Sequence, residues 1–327
     1  MQLQSLAMLK KLFVLLFLYS NLVMGQVNKI NLENAPKQLS ILGEGFISTH
    51  INERDFALSP DGKEIYFTIT SPRSDIQTIV YCKLLKGGEW SKPEVVSFAG
   101  TYSDLEPALS SDGKTLYFAS NRPLEGTTPK DFDLWKVTRE GSGWGTPVNL
   151  GAPVNTPSDE FYPSLTKTGH LYFTASYKGQ GMGREDIYRA EWKDGKFQVP
   201  QALDSAVNSK VDEFNAFISP DEDYILFTCY GRRDDAGGGD LYMSVKDAVG
   251  KWQPARCLTE INSKYLDYCP YVSPDGKKLF LTSTRYNPVK SFPSNATYST
   301  IQSLWGNTLN NQGNIYWIDF EGIRKSK

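Results

Sequence analysis

The chain has 327 residues, with 35 Lys and Arg against 37 Asp and Glu, for a formal net charge of -2. A chain this close to neutrality lacks the basic field that phosphate backbones require, which excludes nucleic acid as the expected partner. Four cysteines, Cys82, Cys229, Cys257 and Cys269, are too few for a disulfide-built fold. Cys257 and Cys269 are near enough in sequence to close one loop as a bridge.

Taken in chain order, the first segment reads as a leader. Lys10 and Lys11 precede an apolar run from Leu12 to Met24 that ends at Gly25 and Gln26. A basic start, a short apolar core and a small residue before the junction describe an export signal over residues 1–25. The run is shorter than the roughly 20 residues a spanning helix needs. Its removal shifts the formal charge to 33 - 37 = -4. The expected product is a periplasmic or secreted monomer of residues 26–327 with no membrane span, folded as a single domain.

That domain is repetitive. Ser59-Pro60-Asp61-Gly62 returns as Ser110-Ser111-Asp112-Gly113, Thr166-Lys167-Thr168-Gly169, Ser219-Pro220-Asp221-Glu222 and Ser273-Pro274-Asp275-Gly276, at spacings of 51, 56, 53 and 54 residues. Each copy precedes an apolar run such as Ile65-Tyr66-Phe67 or Leu116-Tyr117-Phe118. Asp-Gly between alternating runs signals a tight hairpin, because glycine accepts the positive φ of the turn. In the second unit, Glu106–Ser110, Leu116–Ser120, Asp133–Val137 and Trp144–Leu150 read as four successive strands. Four short strands per unit at a fixed period describe a propeller blade. The fifth unit lacks a fourth strand after Tyr316, and Pro36–Ser40 resembles the missing one. The expected fold is therefore all-β, a five-bladed propeller closed by its N-terminal strand. A sixth blade would require hidden strands in 286–313.

The Ser-Pro-Asp-Gly-Lys turn, the Ile/Leu-Tyr-Phe strand after it and Gly238-Gly239-Asp240-Leu241-Tyr242 resemble the WD40-like repeats of the TolB type. The resemblance runs from about Pro36 to Phe320. It implies an exported propeller that binds partners in the bacterial envelope.

Candidate chemistry lies where the innermost strands begin. Six residues before each repeated Ser or Thr stands an acid: Glu53, Asp104, Glu160, Glu213 and Asp267. Placed at the mouth of a central channel, these acids would meet Arg122, Arg285 and other loop arginines. Unpaired carboxylates about 8 Å apart repel by roughly 2 kcal/mol at an effective dielectric near 20, so such a ring needs counter-charges or raised pKa values. The ring can serve structure, bind a glycan or protein, or hold a hard cation such as calcium; no other cofactor is expected. Two positions further on the repeat breaks into Asp55, Glu106, Tyr162, Asn215 and Cys269. Asp55 and Glu106 with Glu53 and Asp104 form a doubled acid patch, the place for catalysis if the chain is a glycoside hydrolase or lyase.

Other chemistry is thin. His50 and His170, the only histidines, lie too far apart in the repeat for a histidine metal centre, and no nucleophile stands beside a base. The recurrent aromatics Trp90, Trp144, Phe197 and Trp252 read as packing between blades. Trp305, in an irregular stretch without counterparts, reads as a binding residue with Tyr286 and Tyr298. The leading expectation is a non-catalytic binding or scaffold protein that presents one loop-rich face to an envelope protein or glycan.

Overall fold

A computed structural model describes residues 28–325; the expected leader at 1–25 lies outside them. Five antiparallel sheets form the ring of a five-bladed propeller. In blade 2 the strands are Asp104–Leu109, Thr115–Ser120, Asp133–Glu140 and Val148–Asn149, ordered from axis to rim. The expected fourth strand at Trp144–Leu150 is split, because Gly143–Trp144 folds back on Arg139 and Glu140 as a small hairpin. Pro147 stands between the two pieces. With no N–H to donate, a proline suits such a break.

Ring closure follows the expected scheme with a shift. The N-terminal strand is Ser40–Ile41, rather than Pro36–Ser40, and pairs antiparallel with Trp317 and Tyr316 of blade 5. Pro36 still takes part, accepting the Asp319 N–H, and Leu42 donates to Ile315. The 286–313 stretch holds helix α1 (Tyr298–Trp305), and the described residues contain no sixth blade. A short helix α2 (Phe320–Lys325) ends the described chain, burying Phe320 and Ile323 against blades 4 and 5. Among the described residues no helix is long and apolar enough to cross a membrane.

The core is divided among the blade interfaces. Ala57, Tyr66 and Ile79 of blade 1 pack on Phe118, Trp135 and Val137 of blade 2. Comparable clusters join blades 2 and 3, 3 and 4, 4 and 5, and 5 and 1. This explains the two-sided apolar strands: a blade is covered on both faces, so its middle strands read as continuous runs such as Tyr224–Tyr230. Trp90 and Trp252 are buried in two of these clusters, as expected for interblade packing.

The repeated phrase is a hairpin with a local hydrogen-bond logic. In the first copy, Ser59 Oγ donates to Asp61 Oδ1 at 2.7 Å and accepts the Glu64 N–H at 2.8 Å. Gly62 supplies φ 70°. The same bonds recur at Ser110–Asp112 and Ser273–Asp275. In the fourth copy Glu222 occupies the glycine position at φ 60°, and its carboxylate is bound by Tyr172 and Arg189 of the preceding blade.

Removing residues 28–42 should expose the outer edge of blade 5 at Asn314–Asp319 and lower the melting temperature. Hydrogen exchange should show lost protection at the Trp317 and Asp319 amides, which face the deleted strand, with little change in blades 2 and 3.

Candidate functional site

The five acids at the strand starts are almost fully buried, and none lines either cavity of the central channel. The expectation that they face the mouth is therefore corrected. Four of them turn back on the loop before their strand, where a Thr or Ser stands four residues earlier. Thr156 donates to Glu160 through both N and Oγ1, at 3.2 and 2.7 Å. Ser209 donates likewise to Glu213, Ser263 to Asp267 and Thr49 to Glu53. In blade 2 that position is Gly100, so Asp104 bonds Ser120 Oγ at 2.7 Å instead.

Arginines complete three of these units. Arg122, Arg232 and Arg285 pair with Asp104, Glu213 and Asp267. Each also donates to a loop carbonyl, of Phe98, Val207 and Ile261, and lies over blade aromatics. Arg122 and Arg285 are thus occupied inside the blades. The equivalent position is Ser71 in blade 1 and Tyr177 in blade 3; Tyr177 replaces the arginine's carbonyl bond by donating to Val154. Without a guanidinium, burial pushes Glu53 up to about 7 and Glu160 up to about 8, against the hydrogen bonds from Thr49 and Thr156.

What meets at the axis is the other set. Asp55, Glu106, Tyr162, Asn215 and Cys269 all have left-handed backbones, with φ of 61, 61, 51, 51 and 53°. Every innermost strand slips register at this point, as between Arg54 and Ala57 or Tyr268 and Tyr271. Such a bulge breaks the strict alternation of faces and re-aims the side chain, at a cost of order 1–2 kcal/mol for a non-glycine residue. Its freed N–H needs an acceptor. A threonine of the preceding blade supplies it in three cases: Thr282 to Asp55, Thr68 to Glu106 and Thr174 to Asn215, at 3.3, 3.1 and 3.0 Å. Blade 2 carries Ala119 at the threonine position, and there Glu106 Oε2 accepts the Tyr162 N–H at 2.7 Å.

The remaining atoms form one network. Arg54 donates Nε to Asp55 Oδ1 at 2.7 Å and Nη2 to Glu106 Oε1 at 2.9 Å. Asn215 donates to Glu106 Oε1 at 3.2 Å, and the Cys269 thiol to Asp55 Oδ1 at 2.8 Å. Burial, reinforced by Asp55, holds the Cys269 pKa well above its ordinary value, so the thiol keeps its proton. The expected Cys257–Cys269 bridge does not form; all four cysteines are free. Burial also pushes Glu106 up to about 8, with Arg54 opposing and Asp55 assisting.

This network separates two cavities. The one toward the loop face is about 310 Å³ and is lined by Arg54, Leu105, Phe161, Phe214 and Tyr268 among others. The one toward the hairpin face is about 240 Å³. Glu106 lines both. Among the described residues no cluster of three or more His, Cys, Asp or Glu side chains is arranged to hold a metal ion.

Trp305 lies apart from the axis, on the loop face. It is 61% exposed, ends α1, and borders a cleft of about 520 Å³ with Tyr286, His50, Asn52, Asn310 and Gln312. Phe292 packs edge-on against it, ring centroids 5.7 Å apart, and Tyr298 opens the same helix largely exposed to solvent.

Two features of the site had signals that sequence reading passed over. Arg54 stands where the other blades carry Leu105, Phe161, Phe214 and Tyr268, a lone cation in an apolar column. The Thr or Ser four residues before four of the acids marked them as loop caps.

No family model and no curated protein matches this chain. Solved structures resemble it in fold. The structure of a BT0996 complex with RGII is 11% identical with a TM-score of 0.50, covering 89% of this chain and 91% of that one. A protein from Agrobacterium tumefaciens described as a TolB candidate is 18% identical with a TM-score of 0.48, covering 83% and 91%. The catalytic domain of a Coprinopsis cinerea GH62 α-L-arabinofuranosidase is 10% identical with a TM-score of 0.47, covering 82% and 90%. At these identities the likeness is one of architecture.

The buried carboxyls lead to two predictions. Glu53 and Glu160 have folded pKa values above their unfolded ones near 4.5. Their stabilisation is complete below that value and is lost as pH rises toward 7 to 8. Melting temperature should fall between pH 5 and pH 9, and Glu53→Gln with Glu160→Gln should flatten that slope. Glu106→Ala should cost about 3 kcal/mol by orphaning the Tyr162 N–H and half of Arg54. Adding Ala119→Thr should restore about 1 kcal/mol by returning the missing acceptor, a coupling measurable in a double-mutant denaturation cycle.

Proposed function

We propose that this chain is a non-catalytic binding propeller of the bacterial envelope or extracellular space, and that its loop face binds a glycan. The observation that carries this reading is the Trp305 cleft. An exposed indole and the Tyr286 ring stand beside Asn52, Asn310 and Gln312 in one concavity. Sugar rings offer a C–H face to an aromatic plane and hydroxyls to amide groups, so a cleft that pairs the two suits them. The cleft sits on a closed ring, which holds its walls without help from a ligand. Asn310 is fixed by donating to the His50 carbonyl at 2.8 Å, and Tyr286 by accepting from Tyr265 at 2.8 Å. The export signal expected over residues 1–25 and the resemblance of the repeats to the TolB type support an envelope or secreted setting.

An enzymatic reading would rest on Glu106, an acid pushed up to about 8 beside Asp55. Both Glu106 oxygens are already engaged by Arg54, Asn215 and Tyr162, and its partners in the expected acid patch, Glu53 and Asp104, are sealed within their blades. Binding is the better supported role.

On a glycan array followed by calorimetry, Trp305→Ala should weaken the best ligand at least tenfold while leaving the melting temperature within a degree or two, because the side chain is largely exposed. Glu106→Gln should leave glycan affinity unchanged. Glycan binding indifferent to Trp305→Ala would sink this placement, and turnover of the bound glycan that Glu106→Gln abolishes would favour the enzyme.

A further inference from the structure

The hairpin-face end of the channel has a separate chemistry. Its cavity of about 240 Å³ is walled by an aliphatic ring, one residue per blade: Leu58, Leu109, Leu165, Ile218 and Val272. The ring arises because each lies three residues beyond a left-handed bulge, so the repeat places all five at one depth. Phe217 and Tyr271 add two aromatic faces, and exposed Pro60, Ser111, Pro220 and Pro274 of the hairpins form the rim.

At the inner end of this apolar socket is Asp55, 2% exposed. Its Oδ1 receives Arg54 Nε and the Cys269 thiol, whereas its buried Oδ2 has no hydrogen-bond partner. A buried carboxylate oxygen without a donor is costly, and native structures ordinarily supply one. Glu106, the second carboxyl on this wall, shares the same guanidinium. Two carboxyls therefore face one cation, and the cluster is one positive charge short when both are ionised.

We propose that this socket binds a small organic cation, an ammonium or amidinium on an apolar or single-ring body, with Asp55 Oδ2 as its acceptor and counter-charge. The cation supplies the missing donor and the missing charge together. The aliphatic ring takes the body, and Phe217 and Tyr271 offer π-faces along the path. A neutral molecule of the same shape fills the space but leaves Asp55 and Glu106 to share one guanidinium, so Glu106 keeps its proton. An anion meets two carboxyls and is excluded.

The groups facing the bound cation are Asp55, Glu106 and Tyr162 from three blades, with Arg54, Tyr268 and Cys269 packed behind them. Glu106, raised to about 8 by burial and then by Asp55 against the opposing pull of Arg54, is largely protonated at neutral pH. An incoming cation favours its ionised form, so binding releases a proton.

The test is calorimetry on the whole protein with benzylamine and benzyl alcohol at pH 7, each in two buffers of different ionisation enthalpy. Benzylamine should bind at least tenfold more tightly than the alcohol, with net proton release. Asp55→Asn should abolish that preference; asparagine tolerates the left-handed backbone, so the bulge is retained. Ser111→Trp, an exposed rim substitution, should block benzylamine while leaving the melting temperature unchanged, and it stands in if Asp55→Asn folds poorly. Equal affinity for amine and alcohol, benzylamine binding that survives Ser111→Trp, or no binding at millimolar benzylamine would each overturn the proposal.

Discussion

The centre of this propeller depends on one requirement: backbone N–H groups freed by left-handed bulges at the axis have to find acceptors in a space where water is scarce. A strand that continued its alternation would aim the same faces at the axis and leave no polar network there. The bulge breaks the alternation, and in four of the five blades its cost is met by a hydroxyl or carboxylate lent from the preceding blade. Thr68, Thr174 and Thr282 perform this duty between neighbours. Where blade 2 offers Ala119, Glu106 reaches across, and the symmetric device becomes an asymmetric one with a carboxylate at its heart. Arg54 then becomes necessary, because a carboxylate beside Asp55 without a cation would be expensive to bury.

The same economy governs the outer acids. Each stands at the start of an innermost strand, and four tie down the loop that enters it. An arginine added across the loop carbonyl makes a staple of acid, guanidinium and aromatic in three blades. These residues hold the loops in place, and the loops carry the proposed binding surface. Rigidity thus rests on buried charge, and the proposed recognition on different residues, the exposed rings on α1 and its flanks.

Two concavities result from one ring, and their chemistries differ. The loop-face cleft is built by an insertion that the repeat does not contain, and it pairs aromatic with amide. The hairpin-face socket is built by the repeat itself, a ring of aliphatics over a broken ring of polar groups. A ligand at one end touches none of the side chains that line the other.

Much of the architecture was legible in the sequence. The Ser-x-Asp-Gly spacing located the hairpins, and an orphaned fifth blade pointed to the N-terminal strand, because both are local consequences of turn chemistry and the two-residue period. The departure from repetition at Asp55, Glu106, Tyr162, Asn215 and Cys269 was visible as well, as was the exceptional Trp305. The direction in which four of the acids point was marked by the Thr or Ser four residues earlier and passed over, whereas the roles of Arg54 and Ala119 and the free state of Cys257 and Cys269 were hidden. The roles of Arg54 and Ala119 depend on contacts across blade boundaries, such as Arg54 to Glu106 and Glu106 to Tyr162, and on a change of backbone handedness that no residue type there announces. Turn residues and alternation dictate where the chain folds back; only the closed ring, by bringing five bulges to one axis, decides which side chains share a charge.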